Sequence, residues 1–223
     1  NYIGIRSKNN SFGERIMALT KVLTGGIALD AVDNTILKLD DNYALTGTVS
    51  GTSPLEKIHE VVVTDAVALV AFTSTYITDA YNTYVIYMDG VLHASDNAGL
   101  RSLVSIDNGS NFITSRGSSD HLLSGAANTN GGGGNVAFHQ IAAAAEDAAD
   151  SDLNGSLTCY NFRSNTHHKS THSEVANKHS DAQYHIKYDG YGVHLTDSKI
   201  NYIKFFGGSN LTAGRFKLFG IKG

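Results

Sequence analysis

The chain has 223 residues, of which 41% are hydrophobic and 17% charged, and its formal net charge is −4. Gly, Ser, Thr and Asn take the place of charged residues, which suits one large all-β domain with many turns, alone or with a tether. The acidic balance argues against a nucleic-acid binder, which needs a basic surface, and no apolar run reaches the ~18 residues of a membrane span.

Residues 1–52 are polar and contain only short apolar patches, such as Ile36-Leu37-Lys38-Leu39. Such patches bury little area within one chain, but copies of the chain or a neighbouring protein can cover them. We therefore predict an extended N-terminal arm for attachment and assembly over residues 1–52, and a loosely ordered leader is the alternative. The first residues lack a signal-peptide core. Met17 resembles a natural start, which leaves open whether the residues before it are native.

Pro54, the only proline, marks the predicted boundary between this arm and a head domain over residues 55–223. The first two strands of the head are predicted at residues 57–63 and 67–72, because both segments are rich in Val and other apolar residues. They are predicted to pair with each other around Thr64-Asp65-Ala66.

A central strand is predicted at residues 83–88, since both of its faces are apolar, and Asp89-Gly90 is predicted to turn the chain. The next strand is predicted at residues 100–106, before a strong turn signal, Asp107-Asn108-Gly109-Ser110. Residues 115–135 are rich in Ser, Gly and Asn, which predicts a mobile surface loop.

The remaining pattern predicts further strands at residues 136–141, 155–162, 172–178 and 182–194, with a helical turn or loop at 142–149. The chain ends in two alternating segments, 200–206 and 215–221, around Gly207-Gly208-Ser209-Asn210, and we predict that they form a closing hairpin. Many short strands and almost no helix indicate an antiparallel β-sandwich, jelly-roll-like, over residues 55–223.

The candidates for metal or nucleophilic chemistry are weak. Cys159 lies in an alternating apolar run and is predicted to be a buried packing thiol. Four histidines, His167, His168, His172 and His179, lie at spacings that can bind zinc, but their polar surroundings favour surface histidines. We therefore predict no metal site and no cofactor.

Two sets of acidic residues allow calcium as a minor alternative: Asp147, Asp150 and Asp152, and Asp30, Asp33, Asp40 and Asp41. Neither set has the EF-hand spacing. No pair of carboxylates is distinguished as a glycosidase pair, no phosphate-binding loop or nucleophile elbow is present, and we predict that the protein is not an enzyme.

Tyrosines are numerous, and exposed tyrosine beside Asp or Asn is typical of sugar-binding surfaces, because rings stack on pyranose faces. The best such patch is Tyr188, Asp189 and Tyr191, which we predict as a possible glycan-binding site. The alternative is a core strand with a bend.

Several turn and strand signatures occur in a fixed order in the head. They are Phe72-Thr73-Ser74, Tyr81-Asn82-Thr83-Tyr84, Asp96-Asn97-Ala98-Gly99-Leu100-Arg101, Ser105-Ile106-Asp107-Asn108-Gly109-Ser110, the segment 154–160 and the segment 200–221. In this order the head resembles the C-terminal β-sandwich of bacteriophage tail-fibre and related virion-surface proteins. The stretch Ala44-Leu45-Thr46-Gly47-Thr48-Val49-Ser50-Gly51 also resembles fibre-stem sequence.

This resemblance implies a structural component of a virion, at the particle surface: a tail fibre or spike, or a capsid decoration protein. It implies a homo-oligomer, most often a trimer, with other virion proteins as partners and a host-surface glycan as a possible ligand. It implies no catalytic residues. The alternatives are a carbohydrate-binding module or a subunit of another extracellular filament.

Overall fold

A computed structural model describes residues 54–96, 98–113, 115–123, 129–130, 134–142, 152–178 and 185–222. These residues form twelve β-strands and no α-helix. The strands are β1 Leu55–Val63, β2 Val67–Phe72, β3 Thr83–His93, β4 Arg101–Ser105, β5 Ser115–Leu123, β6 Thr129–Asn130, β7 Gly134–Val136, β8 His139–Gln140, β9 Leu153–Tyr160, β10 Lys169–Lys178, β11 His185–His194 and β12 Tyr202–Ile221. Within these ranges no helix is long and apolar enough to cross a bilayer. The predicted arm, residues 1–52, lies outside the described residues.

The strands form one antiparallel sheet that curves back on itself. They hydrogen-bond in the order β6-β5-β11-β10-β9-β3-β12-β4-β8, while β1 and β2 also pair with β12, and β7 pairs with β5. The last strand of this path, β8, contacts β5 and β11 near its beginning, so the sheet is nearly barrel-shaped. The prediction of an all-β antiparallel head is therefore confirmed for the described residues.

The long strand β12 connects the two parts of this sheet. Its residues 203–206 lie between β2 and β4, and its residues 214–221 lie between β1 and β3. The register shifts between Phe206 and Leu211, where the strand bends from one set of neighbours to the other. The predicted closing hairpin is wrong, because its two segments are halves of one strand, and the other strands take up the hydrogen bonds of both halves.

The pairing predicted between the first two strands is also wrong. β1 and β2 form close to their predicted positions, but each pairs with a different part of β12. The segment between them therefore connects β1 to β2 without forming a β-hairpin. Alternation of apolar residues located both strands, but it carries no information about which neighbour a strand will pair with.

Asp89-Gly90 does not turn the chain as predicted. β3 continues through it to His93, with a register shift on β3 between Met88 and Val91. Gly90 has a φ of 64°, and Gly214 on the neighbouring β12 has a φ of 126°. A Cβ at Gly214 would lie 2.7 Å from the Cα of Val91. The two glycines thus form a β-bulge where the strands approach closely.

The loop predicted at residues 115–135 is wrong for its first part, because β5 pairs with β11 along its whole length. Its Ser- and Gly-rich sequence lacks an apolar alternation, but the backbone of the neighbouring strand β11 pairs with it at each residue. The strand predicted at 136–141 is divided between β7 and β8. The predicted helical turn falls almost entirely outside the described residues.

Inward side chains of both parts of the sheet form one core. Phe205 and Phe216, from the two halves of β12, have ring centroids 5.1 Å apart. Tyr84 is fully buried, and its hydroxyl donates to the Thr78 carbonyl at 2.6 Å and accepts the Thr78 N–H at 2.9 Å. Cys159 is a buried free thiol, as predicted, and burial raises the pKa of that thiol. A buried thiol with a raised pKa is a poor nucleophile.

Candidate functional site

The structure separates the three residues of the predicted glycan patch. Successive side chains of a strand point to opposite faces, so Tyr188 points inward while Asp189 and Tyr191 point outward. Tyr188 is 1% exposed and belongs to the core, whereas Tyr191 is 51% exposed. Nε2 of His172 lies 2.6 Å from Oδ1 of Asp189. Asp189 and Tyr191 are therefore the exposed part of the predicted site.

These two residues lie on a broad surface, here called the outer face, which is the solvent side of β12, β3, β9, β10 and β11. The antiparallel registers align side chains from five strands in transverse rows on it. One row runs Lys217, Tyr87, Ser156, Glu174, Asp189, and the next runs Phe219, Val85, Thr158, His172, Tyr191. Neighbouring side chains in a row are close enough to interact directly.

A groove of about 790 Å³ crosses the outer face between β12 and β11. Its volume is in the range of roughly 300–1,000 Å³ that is usual for small-molecule sites. Tyr87 and Phe219 form its aromatic part, with ring centroids 5.5 Å apart and planes at 85°. Tyr87 is 42% exposed, so a large part of an aromatic ring faces solvent beside polar groups.

The charged groups of the groove are paired across neighbouring strands. Nζ of Lys217 lies 3.4 Å from Asp89, and Nζ of Lys187 lies 2.5 Å from Glu174. The hydrogen bond to Glu174 raises the pKa of Lys187. Two ammonium groups and two carboxylates thus line the groove, which has fixed hydrogen-bond donors and acceptors but little net charge.

Gly155 forms part of the groove floor. Its φ is 153°, and a Cβ there would lie 2.2 Å from the Glu174 carbonyl oxygen and 2.6 Å from the Cα of Val175. Only glycine lets β9 approach β10 this closely. Because Ser156 and Ala176 beside it are also small, the middle of the outer face is lower than its aromatic and charged edges.

A second group of polar residues is buried on the inward side of the sheet, here called the inner polar cluster: His139, Thr171, Ser173 and His194. Nδ1 of His139 lies 2.8 Å from Oγ1 of Thr171, and Nε2 of His139 lies 3.3 Å from Oγ of Ser173. Nε2 of His194 lies 3.4 Å from the same Thr171 oxygen. The cluster joins β8, β10 and β11 through side-chain hydrogen bonds across the interior.

Burial disfavours the charged form of these histidines. It lowers the pKa of His139 to about 3, with a further contribution from nearby His194, and it lowers the pKa of His194 to about 4. His93, buried elsewhere in the interior, also has a pKa lowered by burial to about 4. All three are therefore neutral at pH 7, and their ionisation opposes folding.

The histidines singled out as zinc candidates lie at the surface where they are described. His167, His168 and His172 are exposed, and His179 lies outside the described residues. Among the described residues no group of three or more His, Cys, Asp or Glu is placed to hold a metal ion. Of the acidic sets, only Asp152 is described, and its carboxylate accepts a hydrogen bond from Nδ2 of Asn154 at 2.9 Å.

Sequence reasoning missed Tyr87 and Phe219 as surface aromatics. The alternation in β3 contained a signal for Tyr87, because Tyr84, Ile86 and Met88 point inward and Tyr87 must then point outward. The sequence has no comparable signal for the groove, since its lining comes from strands far apart in the chain. No protein-family model matches this chain, and no curated protein or solved structure matches it significantly.

Proposed function

We propose that the protein is a structural, non-catalytic component of a virion surface, either a tail fibre or spike or a capsid decoration protein. Residues 1–52 assemble it, and the β-structured head is displayed outward. The order of turn signatures in residues 55–223 supports the virion setting. We also propose that the head is a jelly-roll-like sandwich, because β12 runs between two groups of strands.

The main observation in favour of a binding role is the groove on the outer face. It combines exposed Tyr87 and half-buried Phe219 with ion-paired polar groups, and it lies on the middle of a sheet and not on loops. Five strands hold its side chains in register, so little ordering is required when a ligand binds. This arrangement suits a head that contacts a host surface.

Assembly is tested by the mass of the full chain in solution, measured by light scattering after size-exclusion chromatography. We expect three times the mass of one chain, because copies of the chain can cover the short apolar patches in residues 1–52 and the fibre proteins that the head resembles are most often trimers. A chain that remains monomeric at all accessible concentrations would overturn the assembly role. Labelling of the intact particle, viewed by electron microscopy, tests whether the head lies at its surface.

The charges of the groove support a non-catalytic role. Glu174 and Asp89 are exposed to solvent and each forms an ion pair with a lysine, whereas the general acid of a glycoside hydrolase typically lies in an apolar pocket. Incubation of the full chain with host polysaccharide should release no reducing ends. Sustained turnover that follows the protein through purification would contradict this proposal.

The second candidate function is a carbohydrate-binding module, or a subunit of another extracellular filament. The exposure of Asp189 and Tyr191 on the outer face favours the carbohydrate-binding role. The presence or absence of the protein in purified virus particles distinguishes this candidate from a virion component. A protein that binds glycan yet is absent from purified particles would be a binding module alone.

A further inference from the structure

We propose that the groove on the outer face is a binding site for an uncharged glycan, with Tyr87 as the ring on which a pyranose stacks. This inference deepens the binding role proposed above and rests on it. It places the site on β3, β9, β10, β11 and β12, away from the core position of Tyr188.

The chemistry of the lining matches both sides of a sugar ring. A pyranose has an apolar face of C–H groups, which packs on an aromatic ring, and a rim of hydroxyls that donate and accept hydrogen bonds. Tyr87 is 42% exposed and is held by its edge-to-face contact with Phe219. Ser156 lies directly opposite Tyr87 on β9, and Glu174 lies opposite Ser156 on β10. The ring and the polar groups thus follow one transverse row.

The charge balance of the groove selects against charged ligands. Lys217 and Lys187 are each paired with a carboxylate of the groove, at 3.4 and 2.5 Å. An acidic sugar or a phosphate would approach Glu174 and Asp89, and a basic peptide would approach the two lysines. A neutral polyol can accept hydrogen bonds from the ammonium groups and donate them to the carboxylates without breaking either pair.

The floor of the groove is shaped to admit a flat ring. Ser156 and Ala176 have small side chains on the outer face, and Gly155, at an inward position of β9, lets the β9 and β10 backbones approach closely beneath them. Larger residues at the edges, Tyr87 and Lys187 among them, rise on either side. The depression is therefore maintained by backbone packing, which also keeps it in place when no ligand is bound.

The test uses the full chain on an array that includes neutral hexose and N-acetylhexosamine oligosaccharides beside sialylated and sulfated ones. We expect binding to neutral probes, followed by calorimetry with the best of them. Tyr87→Ala should weaken that binding about tenfold, while Tyr87→Phe should retain it within about threefold, because the ring and not the hydroxyl carries the stacking. Glu174→Gln should also weaken binding.

Tyr160→Ala is the matched control, because Tyr160 is an equally exposed tyrosine on β9 that does not line the groove. It should bind as the unmodified chain does, and urea midpoints should show that all variants are folded. The inference is overturned by no binding to any neutral probe, by preference for sialylated or sulfated probes, or by Tyr191→Ala abolishing binding while Tyr87→Ala does not.

The outcome for the assembly role is separate. If Tyr87→Ala dissociates the oligomer, a second copy of the chain covers the outer face; the glycan inference then fails, and so does assembly through residues 1–52 alone. If the oligomer persists in this variant and neutral glycan binding is lost, both proposals are supported. A monomer that binds neutral glycan through Tyr87 supports the site and overturns assembly through residues 1–52.

Discussion

Acidification should destabilise this fold well before its carboxylates titrate, because three histidines are buried in neutral form. Burial lowers the pKa of His139 from 6.5 to about 3, and those of His93 and His194 from 6.5 to about 4. The unfolded chain therefore binds protons more readily than the folded one. The stability that the neutral histidines contribute is fully present above their unfolded pKa of 6.5, and it is lost as the pH falls from there towards 4.

The size of the effect follows from proton linkage. At pH 5.0 a histidine with an unfolded pKa of 6.5 is largely protonated, whereas His139, His93 and His194 in the folded chain remain mostly neutral. Each of the three then costs about 2 kcal/mol, or roughly 6 kcal/mol together, relative to pH 7.5. Since small domains have only about 5–15 kcal/mol of stability, this loss brings the head close to unfolding.

The assay is urea unfolding of the full chain at pH 7.5, 6.5, 5.5 and 5.0, with the free energy of unfolding extrapolated to water. Carboxylates whose pKa is lowered by hydrogen bonds, such as Glu56 beside Lys222 and Glu60 beside Lys57, lose their contribution mainly below this window, because the unfolded pKa of Glu is 4.5. The pKa of Asp107, for example, is lowered to about 2 by hydrogen bonds from Ser105 and Asn111, so its contribution is lost only below the unfolded value of 3.8. A free energy of unfolding that changes by less than about 1 kcal/mol between pH 7.5 and 5.0 would refute the reasoning.

Two variants assign the effect to particular side chains. His139→Gln removes one of the three contributions, so the loss of stability between pH 7.5 and 5.0 should shrink by about 2 kcal/mol. His93→Gln should give a similar reduction from a separate part of the interior. His167→Gln controls for the removal of an imidazole, because His167 is exposed. Equal pH dependence in all three variants would contradict the assignment.

Three further outcomes follow from the packing. Gly155→Ala should lower the free energy of unfolding, measured in urea, by more than about 2 kcal/mol, or prevent folding. Gly208→Ala is the control and should cost about 1 kcal/mol or less, because the nearest atom to its Cβ would be 3.6 Å away. Tyr84→Phe should cost about 1–3 kcal/mol, because it leaves the half-buried backbone groups of Thr78 without their partner. Tyr160→Phe, at an exposed site, should be neutral. Cys159 should react with a thiol reagent only at the rate of unfolding, and rapid reaction of the folded chain would contradict its burial.

The candidate site was only partly accessible from the sequence. The composition and the tyrosine content indicated a binding surface, and Asp189 and Tyr191 do lie on the outer face. Tyr188 is in the core, because neighbouring residues of a strand cannot share a face. Tyr87 and Ser156 come from strands about seventy positions apart in the chain, and only the register between β3 and β9 places them side by side.

Local sequence determined the elements of this protein. Alternating apolar residues located β3 and β9, Asp107 and Asn108 specified a turn whose Asn108 has a φ of 57°, and the run around Cys159 indicated a buried thiol. These features depend on neighbours within a few residues, so the sequence contains all of their causes.

Tertiary structure alone decided how the elements combine. The end segments 200–206 and 215–221 have the same alternation whether they form a hairpin or one strand, and the partners on either side of β12 made them one strand. Residues 115–123 became a strand because β11 supplied their hydrogen bonds. Strand pairing depends on how much apolar surface the whole sheet buries. The strands therefore continue through Gly207-Gly208 and Asp89-Gly90, although both sequences locally favour a hairpin.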